Sequence, residues 1–127
     1  MAKRILMMED EKDLHNIYRE MLECLGYEVD ICFDDIEIME KIGSSSDFDL
    51  FIFDLQYKSG DVLFDIADEV LKEIREMGIS TPAVLMSGSP GNPKFVNYDK
   101  HGFILAIEKP FNLDKLAEVL NRAFPSQ

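Results

Sequence analysis

The chain has 127 residues, 46% of them hydrophobic and 30% charged, with a formal net charge of −12. That size and mix fit one globular domain over residues 1–127, able to build a core without disulfides or a structural metal. The negative charge and the lack of any Lys/Arg run argue against a nucleic-acid partner, and no apolar run approaches membrane-spanning length; an acidic surface suits protein partners and cations.

Residues 4–8, "RILMM", form a short apolar run that ends at Glu9-Asp10-Glu11. Only four apolar residues follow Arg4, too few for a signal peptide, so a reducing, cytoplasmic setting is expected. Leu14, Ile17, Tyr18, Met21, Leu22 and Leu25 recur at helical spacing, in a helix that Asp10 can cap and Gly26 can stop. "YEVDICF" alternates as a strand. Cys24 and Cys32 lie in apolar patterns and read as small buried hydrophobes. His15 and His101, with no Cys beside them, are not read as ligands. Ile36, Met39 and Ile42 mark a short second helix, closed by Gly43 and three serines. "DLFIFD" is the continuous apolar run of a strand covered on both faces.

After Gly60, Val62, Leu63, Ile66, Ala67, Val70, Leu71 and Ile74 predict one long helix that stops at Gly78. "PAVLMS" is another buried strand. Residues 88–102 carry two prolines and three glycines without a helical period, which predicts a loop with at most a short fourth helix. "FILAIE" is the fifth strand. Asn112 can cap a last helix with Leu113, Leu116, Leu120 and Phe124 inward.

Five alternations of strand and helix predict an α/β fold, a parallel sheet with helices on both faces. Ligands bind such sheets outside the carboxyl ends of the strands. Glu9 and Asp10 end the first strand, Asp54 the third and Ser87 the fourth; Lys109, followed by Pro110, ends the fifth. Each alone is an ordinary solvated strand end; together they are a chemical set. Clustered carboxylates raise one another's pKa unless a cation compensates, and a hard, oxygen-seeking ion suits them, Mg²⁺ above all. Asp54 can then attack phosphorus as a nucleophile, with the metal and Lys109 neutralising the phosphoryl oxygens and Ser87 donating a hydrogen bond.

"ILMMEDE", "FIFDLQ", "VLMSGS" and "EKPF", in this order and spacing, resemble the four landmarks of response-regulator receiver domains over essentially the whole chain. The resemblance implies a flavodoxin-like (βα)5 doubly wound sandwich with strand order 2-1-3-4-5. It implies Asp10 as a direct Mg²⁺ ligand (Mn²⁺ is an alternative), Glu9 as a mainly water-mediated one, and the Gln56 carbonyl as a further ligand. Asp54 becomes the phosphoacceptor, Ser87 the switch hydroxyl and Lys109 the phosphate contact, with a cis Lys109–Pro110 bond. The implied donor is a phosphohistidine on a sensor histidine kinase or phosphotransfer protein, and the implied output is a downstream protein target in two-component signalling. Such a domain catalyses its own phosphorylation and dephosphorylation and is not a turnover enzyme. Because the chain ends just past the fifth helix, a single-domain regulator is expected.

Several positions depart from the family's habit. Glu9 stands for the more frequent Asp, and "QYKSG" replaces the usual Met-Pro after the third strand, in a loop expected to be short. Ala106 stands where an aromatic switch residue is usual; Phe103, three residues earlier, is expected on the opposite face of the strand. The missing switch aromatic and the irregular 88–102 segment suit an alternative reading, a receiver-fold adaptor that works without phosphate, which the complete set of acids, Ser87 and Lys109 opposes. An aspartate-nucleophile phosphatase of the haloacid dehalogenase type is disfavoured, because Gln56 occupies the place of its second Asp.

Overall fold

The computed structural model describes residues 2–44, 47–59 and 62–124, with the backbone alone for 57–59 and 62–63. In chain order the elements are β1 (Arg4–Met8), α1 (Lys12–Cys24), β2 (Glu28–Cys32), α2 (Asp35–Ser44), β3 (Leu50–Asp54), β4 (Gln56–Ser59) and β5 (Val62–Asp65). There follow α3 (Ala67–Glu76), β6 (Ala83–Ser87), α4 (Pro93–Val96), a 3₁₀ turn (Tyr98–His101), β7 (Leu105–Glu108) and α5 (Leu113–Ala123). Five strands form one parallel sheet in the order β2-β1-β3-β6-β7. Counting the parallel strands alone, this is the expected 2-1-3-4-5 order.

Alternation along the strands makes two cores. Ile5, Met7, Ile52, Val84 and Met86 pack with Tyr18 and Leu22 of α1 and with Leu116, Val119 and Leu120 of α5. Leu6, Met8, Phe51, Phe53 and Leu85 pack with Ile38 and Ile42 of α2 and with Ala67, Val70, Leu71 and Ile74 of α3. The central strand β3 is buried along its whole length, as a strand covered on both faces must be. Burial of apolar surface on both sides holds its end, Asp54, at the rim.

Residues 56–65 depart from the expected short loop and long helix. Gln56–Ser59 and Val62–Asp65 pair as an antiparallel hairpin, and α3 starts only at Ala67. Val62 and Leu63 fit a helical stripe, but two apolar residues ahead of a helix fit a short strand equally well. Gly60, expected to precede the helix, lies outside the described residues, as do two of the three serines after Gly43.

The helix faces also differ in detail. Ile17, Ile36 and Leu113 are exposed, because a stripe read from spacing has a direction but no width. Cys24 is exposed on α1, whereas Cys32 is buried. Glu11, not Asp10, occupies the N-cap of α1, without a side-chain cap bond, since Asp10 turns toward the rim. Asn112 does cap α5, accepting from the Lys115 N–H at 2.8 Å. The strand expected to start at Phe103 starts at Leu105 after a bend at Ile104. The bend breaks the alternation, so Phe103 and Ala106 pack on the same core rather than on opposite faces.

The segment after β6 holds only the short α4 and the 3₁₀ turn, as its composition suggests. Polar contacts dock it. Asn92 Nδ2 donates to Asp65 Oδ2 at 3.0 Å, and Lys94 Nζ reaches the Asp65 carbonyl and Asp68 Oδ1, each at 2.9 Å. His101 Nδ1 lies 3.4 Å from Asp68 Oδ2. Gly102 ends the 3₁₀ turn at φ +93°, and a Cβ there would sit 3.2 Å from Leu71 Cδ2. Gly26, at φ +92° after α1, has open space around it.

Both Gly26→Ala and Gly102→Ala impose left-handed strain of about 1–2 kcal/mol. Only Gly102→Ala also crowds buried Leu71, so it should lower the urea midpoint more than Gly26→Ala. Equal losses would show that Leu71 yields freely.

Candidate functional site

Parallel registry brings the strand ends together. Asp54 lies opposite Met86, one residue before Ser87, and the Lys109 N–H donates to the Ser87 carbonyl at 2.8 Å. The Glu9 N–H donates to the Cys32 carbonyl at 2.9 Å, which fixes the end of β1 against β2. Carboxylate oxygens of Glu9, Asp10 and Asp54 all lie within 4.8 Å of one another. Lys109 Nζ donates to Glu9 Oε1 at 2.6 Å and to Asp54 Oδ2 at 2.8 Å. The Gln56 N–H points at Asp54 Oδ1 from 3.3 Å, and the Glu11 N–H at Glu9 Oε2 from 3.1 Å. Ser87 is fully buried, with Oγ accepting from the Ser89 N–H at 2.9 Å. The Lys109–Pro110 peptide is cis.

Among the described side chains, Lys109 is the ammonium that pairs with Glu9 and Asp54, and Asp10 adds a third carboxylate beside them. Burial, reinforced by Asp54, pushes Glu9 up to about 7 against the pull of Lys109. Burial also raises Asp54, with Lys109 opposing. Lys109 is depressed by burial but raised more by Asp54 and Glu9, so it stays charged. A compact set of oxygen donors with surplus negative charge is what a hard divalent cation requires. A cleft of about 350 Å³ between α3 and the 3₁₀ turn, lined by Leu71, Lys72, Arg75 and Lys100, contains none of these groups. The chemistry of the rim, rather than the size of a cavity, marks the site.

Known proteins share this fold. The response regulator receiver domain family matches residues 5–121. This chain belongs to that family.

Among its relatives, the transcriptional regulatory protein CrdR of Helicobacter pylori is 33% identical over 125 residues, 98% of this chain and 56% of that protein. The transcriptional regulatory protein DltR of Streptococcus agalactiae is 33% identical over 118 residues, 89% of this chain and 48% of its own length. The chain thus spans about half the length of the curated relatives it matches. A CheY-like receiver domain protein from Methanospirillum hungatei, solved as a crystal structure, superposes with a TM-score of 0.81 at 26% identity. That match covers 98% of this chain and 95% of the other.

All the site residues named from sequence lie at the carboxyl rim of the receiver domain. Glu9, Asp10, Asp54 and Lys109 meet directly, Ser87 adjoins Lys109 through the backbone, and Gln56 opens the hairpin beside Asp54. Two further contacts escaped the sequence. Ser89 Oγ donates to Gln56 Oε1 at 3.3 Å, across a separation no local pattern shows. His15 Nε2 lies 2.6 Å from the Glu9 carbonyl; its place one turn past Glu11 was the only hint.

The raised Glu9 fixes a sign for stability. An acid with a folded pKa of about 7 and an ordinary value of 4.5 keeps its proton longer in the folded chain. Its contribution is fully present below pH 4.5 and is lost as pH rises through about 7. Asp54 is shifted in the same direction. In EDTA, stability should therefore fall between pH 5 and 8. Glu9→Gln should remove a fall on the order of 3 kcal/mol. Urea unfolding at the two pH values measures this, and equal slopes in both proteins would refute it.

Proposed function

We propose that this receiver domain accepts a phosphoryl group from a phosphohistidine donor onto Asp54 and thereby switches its contacts with other proteins. The observation that carries the reading is the buried Asp54 carboxylate held 2.8 Å from Lys109, with two further carboxylates beside it. An Asp54 oxygen supplies the electron pair for the new P–O bond, while the P–N bond breaks and its pair returns to the imidazole. Glu9, Asp10, Asp54 and the Gln56 carbonyl would hold Mg²⁺, or Mn²⁺ in its place, which offsets charge on the phosphoryl oxygens. Lys109 keeps Asp54 ionised before transfer and pairs with the phosphoryl group after it. Ser87 Oγ accepts from the Ser89 amide, so its hydroxyl proton is available to a phosphoryl oxygen.

The acceptor carries one group per transfer and is no turnover enzyme. A phosphohistidine donor on a sensor kinase would meet this domain in the cytoplasm. The names of the relatives put their output in transcription; for this domain the acidic surface favours a protein target over direct contact with DNA. The polar docking of residues 88–102 on Asp65 and Asp68 makes that segment the element to be repositioned when Ser87 moves.

With acetyl phosphate and Mg²⁺, intact mass should rise by one phosphoryl group, labile to hydroxylamine. Asp54→Asn and EDTA should each abolish the gain, and Lys109→Ala should slow it at least tenfold. An unmodified wild type would replace this reading with the phosphate-independent adaptor.

Amide hydrogen exchange with Mg²⁺ and beryllofluoride, a phosphoryl mimic, should change most in residues 88–102. A response confined to β7 and α5 would exclude this route for the switch.

A further inference from the structure

Every polar atom of Glu9 has a partner. Its N–H goes to Cys32 in β2, Oε1 to Lys109, Oε2 to the Glu11 amide, and its carbonyl to His15 on α1. The last contact is the short one at 2.6 Å. A carbonyl oxygen only accepts, so His15 Nε2 carries the proton and donates. The ring is fixed from a second side, because Phe33 stacks on it with centroids 4.3 Å apart and planes 27° from parallel. Cys32 at the end of β2 and Phe33 just after it thus hold the two peptides that flank Glu9: Cys32 accepts from the Glu9 N–H, and Phe33 backs the ring on the Glu9 carbonyl.

The Glu9 carbonyl belongs to the peptide joining the two first acids of the cluster. Peptide planes are rigid, so the direction of that carbonyl sets where the Asp10 backbone leaves β1. We propose that His15 is a positioning residue for the cation site: by holding the Glu9–Asp10 peptide it keeps both carboxylates facing Asp54. The inference rests on the phosphoacceptor reading for its use. The geometric part stands without it, because peptide order can be measured in the metal-free protein. It assigns no charge to the ring and touches neither metal nor phosphate.

The test compares wild type with His15→Leu, His15→Gln and Phe33→Leu. Leucine fills the space and keeps an apolar face for Phe33 but cannot donate. Glutamine offers an amide N–H at similar reach. The readouts are Mg²⁺ affinity by calorimetry, thermal midpoint, and amide exchange of the metal-free proteins at Asp10 and Glu11.

The loss of one hydrogen bond should weaken Mg²⁺ roughly two- to tenfold in His15→Leu. Exchange at Asp10 and Glu11 should quicken while the rest of α1 is unchanged. His15→Gln should recover at least half of both effects, and Phe33→Leu should fall between wild type and His15→Leu. Wild-type affinity and exchange in His15→Leu would overturn the proposal. So would a general loss of protection along α1 that glutamine does not restore. If His15→Leu does not fold, Phe33→Leu decides by the same readouts. Should wild type bind no Mg²⁺, the phosphoacceptor reading fails, and local exchange at Asp10 and Glu11 alone decides for His15.

Discussion

One ammonium between two buried carboxylates governs the rim of this domain. Glu9 is wholly buried and Asp54 nearly so, and Lys109 Nζ bonds both at under 3 Å. Desolvation opposes each of these charges, and for the two carboxylates the pairing with Lys109 offsets it only in part. Removing the lysine would leave two like charges in a dry site, where an unpaired partner costs about 3–5 kcal/mol. The same lysine is anchored by its backbone to Ser87. The ends of β1, β3, β6 and β7 are therefore tied through a single side chain and its amide.

The sheet makes such a costly arrangement tolerable. β3 contributes no exposed residue, and its alternate side chains feed both cores. Apolar burial along the strands lies upstream of the polar ends, so the site sits on a rigid frame rather than on a loop. Surplus negative charge then persists because nothing among the described side chains but Lys109 neutralises Glu9 and Asp54. A site built in this way offers the compact oxygen donors that the proposed divalent cation requires.

The parallel sheet and its rim were legible because both follow from local patterns. An apolar run that stops at Asp54, Ser87 or Lys109 names the strand and its end at once. Gly26 and Asn112 marked helix limits for reasons of backbone freedom and capping. The hairpin from Gln56 to Asp65 was hidden, since it is two four-residue strands whose apolar pair also fits the stripe of α3. Strict alternation puts Phe103 opposite Ala106, and the bend at Ile104 brings the two onto one core. Exposure of Ile17, Ile36, Leu113 and Cys24 was equally out of reach, as it depends on where neighbouring elements end.

Long-range polar contacts were the least legible part, and they join the two irregular regions of the chain. Lys94 meets Asp68 across 26 positions, and Ser89 meets Gln56 across 33. Asn92 adds a bond to Asp65, whose Oδ1 is buried without a hydrogen-bond partner, 3.8 Å from Lys94 Nζ. The hairpin that follows Asp54 and the segment that follows Ser87 are thus held to each other as well as to the sheet, on whose core Phe95 and Tyr98 pack. Half-buried polar contacts of this kind are satisfied only in a narrow set of geometries. A shift of Ser87 toward Asp54 would strain Ser89 and Asn92 together. In the proposed switch, contacts shared by Ser89 and Asn92 would couple the docked segment to Ser87 even with alanine at position 106.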